Sequence, residues 1–410
     1  MSTRTCVTGA DLVLSDQVLS GHTLIIEGGR ITDIVTKAPA ASAVDRVLDR
    51  RGHVIVPGFV DVHVHGVDGL DVLDGPGAIR AMAVILPRFG VTAFCPTTIA
   101  CAPGALTAVL QEVAELRGVP KGDGARVLPA HLESNFISPD YRGAQPLSCL
   151  RMPPPRLVTL RDAEGSSRTD AAAGLEFTAD DVLAVIDRHV QHVGIVTLAP
   201  ELDGGLDLVR SLSGAGIRVS LGHTGAGFDV AQAAIAAGAS QATHLFNRMP
   251  PMTHRNPGVV GAILVADDVD AELICDGHHV HPATMRMAIA AKRRIMAVTD
   301  GTAGSGRPKG ARVTLGGQPI EVGDVARLSD GTMAGSVLTM DGAFRMLVSG
   351  LGLSLVDGAR MCATAPARAI GVEGHALARD AVADFVVLSD TLQVVETWIG
   401  GRSVFGRQPS

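Results

Sequence analysis

The feature that most constrains the fold of this chain is a series of eight short segments rich in β-forming residues, most of them separated by alanine-rich, helix-like segments. This alternation predicts βα units around a parallel sheet, and eight strands is the number in a (β/α)8 TIM barrel. The predicted strands are VDVHV (60–64), VTAFCPT (91–97), RVLPAHLE (126–133), VGIVTLAP (193–200), RVSLGH (218–223), QATHLFN (241–247), AELICDG (271–277) and IMAVTD (295–300). A doubly wound open sheet is the alternative, but it usually has a glycine-rich phosphate loop after its first strand, and GFVDVHVHGVDG (58–69) is not one.

Both ends of the chain show a different pattern, with short strands and tight turns. LIIEGGRITDIV (24–35) predicts a hairpin, and DFVVLSDTLQVVETWIGGRSVF (384–405) repeats that pattern. We therefore expect residues 1–57 and 366–410 to form one small β-sandwich domain beside a barrel of residues 58–365. Residues 146–178 contain a proline triplet and a polar, glycine-containing patch, which indicates a long excursion after the third strand, either a lid or a surface insertion.

Charge and cysteine usage limit the partners and the compartment. The formal net charge is −7 and there are no lysine or arginine runs, so we expect neither nucleic acid nor a membrane surface as a partner. Six cysteines without a CxxC pair are typical of reduced thiols. With no signal-peptide pattern and no apolar stretch of membrane-spanning length, the sequence predicts a cytoplasmic protein.

Polar residues of one chemical kind recur at the predicted strand ends. One histidine in such a place is more often a hydrogen-bonded structural residue than a ligand, but a set on one rim of a barrel indicates a metal site. Imidazole and carboxylate are ligands that suit Zn²⁺, Fe²⁺, Co²⁺ or Mn²⁺. The strand-end residues are His63, His65, Glu133, His223, His244, His278, His279, His281 and Asp300.

Two of these positions carry further information. His63 and His65 are two residues apart on a strand, so their side chains point to the same face and can share a metal. Asp300 is placed to move a proton during amide hydrolysis, although an Asp before Gly-Thr can also be a turn or cap residue. There is no G-x-S-x-G or Walker motif, and none of the four lysines (37, 121, 292, 309) lies at a strand end. Hydrolysis assisted by a metal is therefore the favoured chemistry.

Several motifs, in order from about residue 55 to 370, resemble the N-acetylglucosamine-6-phosphate deacetylases of the amidohydrolase superfamily. They are PGFVDVHVHG (57–66), HLE (131–133), LGHTGA (221–226), ATHLFNRMPPMTHRNPGVVGA (242–262), DGHHVHP (276–282), VTDGTAG (298–304) and GSVLTMDGAF (335–344). The resemblance implies a homodimeric enzyme that hydrolyses the acetamide of N-acetylglucosamine 6-phosphate with a divalent metal, Zn²⁺ before Fe²⁺, Co²⁺ or Mn²⁺.

The resemblance also implies a role for each matching position. Glu133, His223 and His244 match the main metal site, and His63 and His65 match the pair that some members keep when they hold a second metal. Asp300 matches the catalytic acid/base. The substrate-binding positions implied in this way are His279 and Asn247, with Arg255 supplied by the neighbouring subunit. His131 is interpreted as packing or supporting the site rather than as a ligand.

The chain departs from the family on the side that faces the sugar. Ser134 and Asn135 replace a usual Gly-Pro, Gln145 stands where a substrate-binding histidine is usual, and Arg248 replaces a small residue and adds positive charge beside the expected phosphate. These departures leave open a second hypothesis, in which the same chemistry acts on another N-acyl amino sugar, such as the galacto epimer or a 6-sulfated or larger substrate. A third hypothesis, a non-catalytic binding barrel, requires lost site residues.

Overall fold

The computed structural model describes residues 3–40, 43–118, 124–154, 176–372 and 374–407. Most of the predicted excursion at 146–178 therefore lies outside the described residues, and its role stays a prediction. Among the described helices, none has both the length and the apolar character needed to cross a membrane.

The N-terminal segment consists of short strands, as predicted. The hairpin predicted at 24–35 is confirmed: its two strands pair antiparallel around Gly28 and Gly29, whose φ angles of 59° and 80° require residues without a Cβ. The strands are β1 (Thr5–Thr8), β2 (Asp11–Val13), β3 (Val18–Leu19), β4 (Thr23–Glu27), β5 (Arg30–Val35), β6 (Arg46–Asp49) and β7 (Val54–Pro57). β5, β4, β1 and β6 form one four-stranded sheet in that order.

The central part alternates strands and helices. Its strands are β8 (Phe59–Val64), β9 (Gly66–Val67), β10 (Leu70–Asp71), β11 (Val91–Thr98), β12 (Arg126–Val127), β13 (Ala130–Glu133), β14 (Val193–Leu198), β15 (Arg218–Leu221), β16 (Ala239–Ala242), β17 (Asp270–Ile274) and β18 (Ile295–Val298). Its helices are α1 (Ala78–Ile85), α2 (Pro103–Gly118), α3 (Ala179–Arg188), α4 (Gly205–Gly214), α5 (Phe228–Ala236), α6 (Gly258–Val265) and α7 (Pro282–Ala291).

The predicted barrel is confirmed. β8, β11, β13, β14, β15, β16, β17 and β18 pair in that order, all in parallel. The last strand returns to the first, because Asp300 N–H donates to the His63 carbonyl (2.9 Å) and His65 N–H donates to the Gly301 carbonyl (2.8 Å). Every residue of β8 and β11 is buried, as expected for strands covered on both faces.

The predicted fourth to eighth strands all run two or more residues past the observed ends, and two of the eight predicted strands differ for a clear backbone reason. The third strand is divided into β12 and β13 around Pro129, which has no N–H to donate to a ladder. The sixth strand was predicted at 241–247 but ends at Ala242. His244 and Phe246 have φ angles of 29° and 78°, which no strand can accommodate.

The remaining elements follow the barrel strands. They are β19 (Arg312–Leu315), β20 (Gln318–Val322), β21 (Ala326–Leu328), α8 (Met340–Arg345), α9 (Leu355–Ala359), α10 (Ala365–Ala369), β22 (Phe385–Leu388), β23 (Val394–Ile399) and β24 (Arg402–Gly406). β19, β20 and β21 form a separate antiparallel sheet that the sequence analysis did not predict. A six-stranded sheet in the order β24-β23-β22-β7-β2-β3 joins both ends of the chain, which confirms a small β-structure built from the two termini. The domain boundaries at 57/58 and 365/366 stay a prediction.

His375 connects the C-terminal segment to the first barrel strand and makes stability depend on pH. Its buried Nε2–H donates to the Gly58 carbonyl (2.6 Å), and burial lowers its pKa to about 4. The pKa of a histidine in the unfolded chain is about 6.5. The stabilisation provided by the neutral, buried His375 is therefore complete above that pH and is lost as the pH falls toward about 4. We expect about 2 kcal/mol less unfolding free energy from this residue at pH 5 than at pH 7.

The measurement is urea unfolding of the wild type and of His375→Gln at both pH values. Gln keeps a donor for Gly58 but does not titrate, so the variant should lose less stability on acidification. Equal acid sensitivity of the two proteins would contradict this assignment.

Candidate active site

Six of the predicted residues meet at the C-terminal end of the barrel. Each lies at the end of a strand or within two residues of it, and all six are buried: His63, His65, Glu133, His223, His244 and Asp300. The parallel arrangement brings these positions to one rim although they are far apart in sequence.

Glu133 is at the centre of this cluster. Its Oε1 lies 2.8 Å from His223 Nε2 and 2.9 Å from His244 Nε2, and the two ring nitrogens are 3.1 Å apart. On its other side, Oε1 is 3.8 Å from His63 Nε2 and Oε2 is 3.6 Å from His65 Nε2. One carboxylate therefore contacts one histidine pair and lies beside the other.

The Nδ1 atoms of the histidines face away from the centre of the cluster. Their hydrogen bonds determine whether the Nε2 atoms, which face the centre, carry a hydrogen or a lone pair. His65 Nδ1 lies 3.1 Å from the Thr97 carbonyl, and His63 Nδ1 lies 2.8 Å from Glu272 Oε2. These oxygens accept, so in neutral rings the hydrogen is on Nδ1 and Nε2 carries a lone pair. The two Nε2 atoms are 3.2 Å apart, so their lone pairs can be satisfied by a proton held between the rings or by a metal cation. Burial lowers the pKa of His63, but Glu272 and Asp300 outweigh burial and raise that pKa to about 10, so positive charge is favoured at this place.

The third fixed ring is His223. Its Nδ1 donates to the Tyr141 carbonyl (2.8 Å), which again leaves Nε2 for the centre. Burial by itself would raise the pKa of the Glu133 carboxyl, but His223, His244 and His63 outweigh burial and hold that pKa well below its usual value. Glu133 is therefore ionised. Three imidazole lone pairs and a carboxylate in a buried cluster are the donor set that suits a divalent cation.

Asp300 completes the cluster on the His63–His65 side. Its Oδ1 is 3.2 Å from His65 Nε2 and 3.4 Å from His63 Nε2. Burial raises the pKa of the Asp300 carboxyl, but His63 and His65 outweigh it and bring the pKa below the usual value. An ionised carboxylate at this position can accept a proton.

The backbone at the C-terminal rim of the barrel is strained at three of the six clustered residues. His223, His244 and Asp300 have φ angles of 48°, 29° and 47°, in the left-handed region that residues with a Cβ rarely adopt. Such a turn directly after a strand directs the side chain toward the barrel axis. Strain of this kind clusters at functional sites and persists because surrounding contacts hold it.

A cavity of about 430 Å³ opens above the cluster. The predicted substrate-binding residues Gln145, Asn247, Arg248 and His279 line it together with five of the six rim residues. Arg255 does not line this cavity and is exposed in this chain. His278 and His281 are also exposed and lie outside the cavity lining.

Arg248 and Gln145 have contrasting surroundings in the cavity. Among the described residues, no ion pair and no side-chain hydrogen bond engages the Arg248 guanidinium, which passes so close to Gly143 that a Cβ there would lie 2.7 Å from Nε. Both ends of the Gln145 amide have partners: its Oε1 accepts from Ala100 N–H (2.7 Å) and its Nε2 donates to Glu133 Oε2. Arg248 has charge to offer an anion, whereas the Gln145 amide is bonded to Glu133.

Two other histidines have clear surroundings. His279 Nδ1 lies 2.6 Å from Asp276 Oδ2, which fixes its ring at the cavity wall. His131 is completely buried, with Nδ1 donating to the Val62 carbonyl (2.9 Å) and Nε2 accepting from Thr197 Oγ1 (2.8 Å). Burial and the nearby His63 lower the His131 pKa to about 4. Both ring nitrogens are thus occupied, as expected for a supporting residue.

Sequence reasoning missed Glu272 and Tyr141. Tyr141 acts through its carbonyl, so residue type carries no signal. Glu272 did leave a signal: it is a carboxylate inside a predicted buried strand, directly before the apolar residues LIC (273–275), where an unpaired charge would be costly.

Comparisons with known proteins agree with this arrangement. The profile of the amidohydrolase family matches residues 54–404. The chain is 35% identical over 397 residues to N-acetylgalactosamine-6-phosphate deacetylase of Escherichia coli O157:H7, covering 94% of this chain and 98% of the relative. It is 35% identical over 426 residues to N-acetylglucosamine-6-phosphate deacetylase of Mus musculus, covering 98% and 97%.

Solved structures with the same kind of name are similar along the whole chain. A Mycobacterium smegmatis N-acetyl-D-glucosamine-6-phosphate deacetylase mutant, solved in complex with N-acetyl-D-glucosamine-6-phosphate, has a TM-score of 0.84 at 30% identity, covering 98% of this chain and 99% of the other. The Pasteurella multocida N-acetylglucosamine-6-phosphate deacetylase has a TM-score of 0.86 at 25% identity, with the same coverage.

The facing lone pairs predict that divalent ions stabilise the fold. An ion that binds only the folded chain adds about 4 kcal/mol to the unfolding free energy when its free concentration is about 1,000 times Kd. We expect thermal unfolding of chelator-treated protein to shift to higher temperature when Zn²⁺ or Co²⁺ is added. His223→Asn should lose most of this shift, while His254→Asn, which changes an exposed histidine outside the cluster, should keep it. Equal shifts in both variants would exclude His223 as a ligand.

Proposed function

The chain belongs to the amidohydrolase family and, within it, to the N-acetyl amino-sugar 6-phosphate deacetylases, and from this premise we propose that it hydrolyses the acetamide of N-acetyl-D-glucosamine 6-phosphate to D-glucosamine 6-phosphate and acetate. The observation that carries the proposal is the cluster in which Glu133 lies between two histidine pairs, with an ionised Asp300 beside it under an open cavity.

The residues present fit a divalent metal. Glu133, His223 and His244 would hold the main ion, and His63 and His65 are suited to a second one, so that one or two ions bind per subunit. Zn²⁺ is the ion we favour for this nitrogen and oxygen donor set, with Fe²⁺, Co²⁺ or Mn²⁺ as alternatives. When bound, the metal supplies Lewis-acid polarisation of the amide carbonyl and lowers the pKa of water.

Asp300 provides the proton transfer. As water attacks the acetamide carbonyl, its proton passes to the Asp300 carboxylate and then to the amide nitrogen, because an amine leaves poorly unless it is protonated. The C–N bond breaks, acetate and the amino sugar leave, and Asp300 is again ionised.

We assign recognition of the phosphate to Arg248, Asn247 and His279, which line the cavity. Within the described part of the chain the Arg248 guanidinium has no ion-pair partner, and Asn247 and His279 add polar groups to the same lining. We further propose a cytoplasmic homodimer in which Arg255, exposed in the single chain, reaches the neighbouring cavity. A guanidinium suits this role because it bonds phosphate oxygens bidentately.

A second candidate substrate is the galacto epimer. The similarity to the Escherichia coli O157:H7 N-acetylgalactosamine-6-phosphate deacetylase and the substitution at Gln145 favour it. A 6-sulfated or larger N-acyl amino sugar is the other alternative. The deciding measurement is kcat/KM for the gluco and galacto 6-phosphates and for the corresponding non-phosphorylated and 6-sulfated sugars, with each metal supplied.

Replacing Asp300 tests the mechanism. Asp300→Asn keeps the size of the side chain but cannot accept the proton, so kcat on N-acetylglucosamine 6-phosphate should fall by roughly 100- to 10,000-fold. Metal content is measured on the same sample, and Asp207→Asn, an exposed carboxylate on α4, serves as the control. A kcat within a few-fold of wild type would exclude Asp300 as the acid/base.

Replacing Arg248 tests the phosphate assignment. Arg248→Met removes the charge and keeps much of the aliphatic length, so KM for the 6-phosphorylated sugar should rise roughly 10- to 100-fold, as for loss of a charged hydrogen bond. The non-phosphorylated analogue should be hydrolysed as before. An equal loss on both substrates would mean that Arg248 acts on the shape of the cavity and not on phosphate.

A further inference from the structure

Glu272, on β17, is a completely buried carboxylate that contacts both histidine pairs of the site. Its Oε2 accepts from His63 Nδ1–H (2.8 Å) and from the main-chain N–H of His244 (3.2 Å). β17 and β8 lie on either side of β18 in the closed barrel, so the His63 contact joins two strands that do not pair with each other. One side chain therefore holds a ring of one pair and the backbone of the other.

A line of hydrogen bonds continues from Glu272 away from the cavity. Glu272 Oε1 accepts from Gln241 Nε2 (2.6 Å), and Gln241 Oε1 accepts from Arg218 Nε (2.6 Å). Arg218 in turn pairs with Asp270, whose other oxygen accepts from Arg368 (2.5 Å). Each group in this line has its partner, so the donor and acceptor order is fixed from Arg368 to His63.

We propose that Glu272 is a positioning residue that holds His63 in the tautomer and orientation in which Nε2 faces the metal centre, and that Gln241 and Arg218 hold Glu272 for this task. Donors face both oxygens of Glu272, His63 Nδ1 and the His244 N–H at Oε2 and Gln241 Nε2 at Oε1, so this carboxylate accepts on both sides. An acceptor at that place excludes the His63 tautomer with hydrogen on Nε2 and free Nδ1. This inference rests on the proposed metal-dependent function.

His63, His131 and Glu272 also lie close enough together to suggest a third metal group. The hydrogen bonds made by His131 and His63 argue against a third metal site. Both nitrogens of His131 are occupied by Val62 and Thr197, and the Nδ1 of His63 faces Glu272 with a hydrogen. The three residues are better explained as support for the metal site than as ligands of another ion.

The test is the isosteric variant Glu272→Gln. A Gln carbonyl can accept from either His63 or Gln241, but its NH₂ then faces the other donor, so one hydrogen bond of the line is lost. We expect the affinity for Co²⁺ or Zn²⁺, measured by chelator competition, to weaken by about 10- to 100-fold. The visible absorption spectrum of the Co²⁺ protein should change as the His63 ligand moves.

The double variant Glu272→Gln/Gln241→Glu tests whether the hydrogen-bond order is what matters. If the single variant lost metal affinity through general damage to the structure, a second substitution would not restore it. The amide introduced at position 272 would accept from His63 and donate to the carboxylate introduced at position 241. That carboxylate would also accept from Arg218, so each hydrogen bond of the line again has one donor and one acceptor. We expect most of the metal affinity and the wild-type Co²⁺ spectrum to return. A folded double variant, checked by circular dichroism, that binds metal no better than the single variant would overturn the positioning role.

The readouts separate this inference from the proposed function. If the wild type binds no divalent ion, both fail. If the wild type binds metal and hydrolyses the sugar phosphate while Glu272→Gln has unchanged affinity and spectrum, only the inference about Glu272 fails. Arg210→Met, which breaks an exposed ion pair with Asp207 on α4, is the matched control and should behave as wild type.

Discussion

The whole arrangement depends on placing imidazole lone pairs and ionised carboxylates face to face in a buried space. Glu133 and Asp300 are ionised among histidines, and the Nε2 atoms of His63 and His65 face each other at 3.2 Å. Such a set needs positive charge between the carboxylates, which protonated histidines or a bound metal cation can supply, because buried charges need partners of opposite sign. The remaining structure keeps these groups close together.

The need to hold these histidines and carboxylates together explains features of the barrel that a purely apolar core would not need. The interior carries a connected polar network, in which Thr197 Oγ1 lies 2.8 Å from His131 Nε2 and 2.6 Å from Thr243 Oγ1. The left-handed residues at the rim cost on the order of 1–3 kcal/mol each when held in such regions. Backbone bonds help to retain them, for example Ser138 N–H to the His223 carbonyl (2.9 Å) and Ser336 N–H to the Asp300 carbonyl (2.8 Å).

Local patterns in the sequence were sufficient to predict the barrel and to identify the rim residues, since strand periodicity is a property of neighbouring residues. Local patterns were insufficient for features that depend on backbone conformation or on residues far apart in the sequence. The end of the sixth strand depends on left-handed turns at His244 and Phe246 that favour no particular motif, and the role of Glu272 depends on His63, a residue on a strand that is not its neighbour in the barrel. The sheet β19–β21 was missed although RVTLGGQPIEV (312–322) has the glycine pair of a hairpin. The positions outside the described residues remain predictions.

The residues proposed for the chemistry and those proposed for substrate choice lie on different parts of the chain, but Gln145 lines the cavity and also contacts Glu133. The residues proposed to bind metal and to transfer the proton lie at or just after strand ends, whereas Arg248 and Gln145 lie on loops, which can vary without loss of the fold. Gln145 nevertheless donates to Glu133 from the cavity wall. A histidine at position 145 would offer Glu133 a different donor and could carry charge, so the residue that distinguishes the cavity wall also determines how the second oxygen of Glu133 is occupied. The hydrogen bond from Gln145 to Glu133 therefore links the proposed substrate-facing wall of the cavity to the proposed metal site.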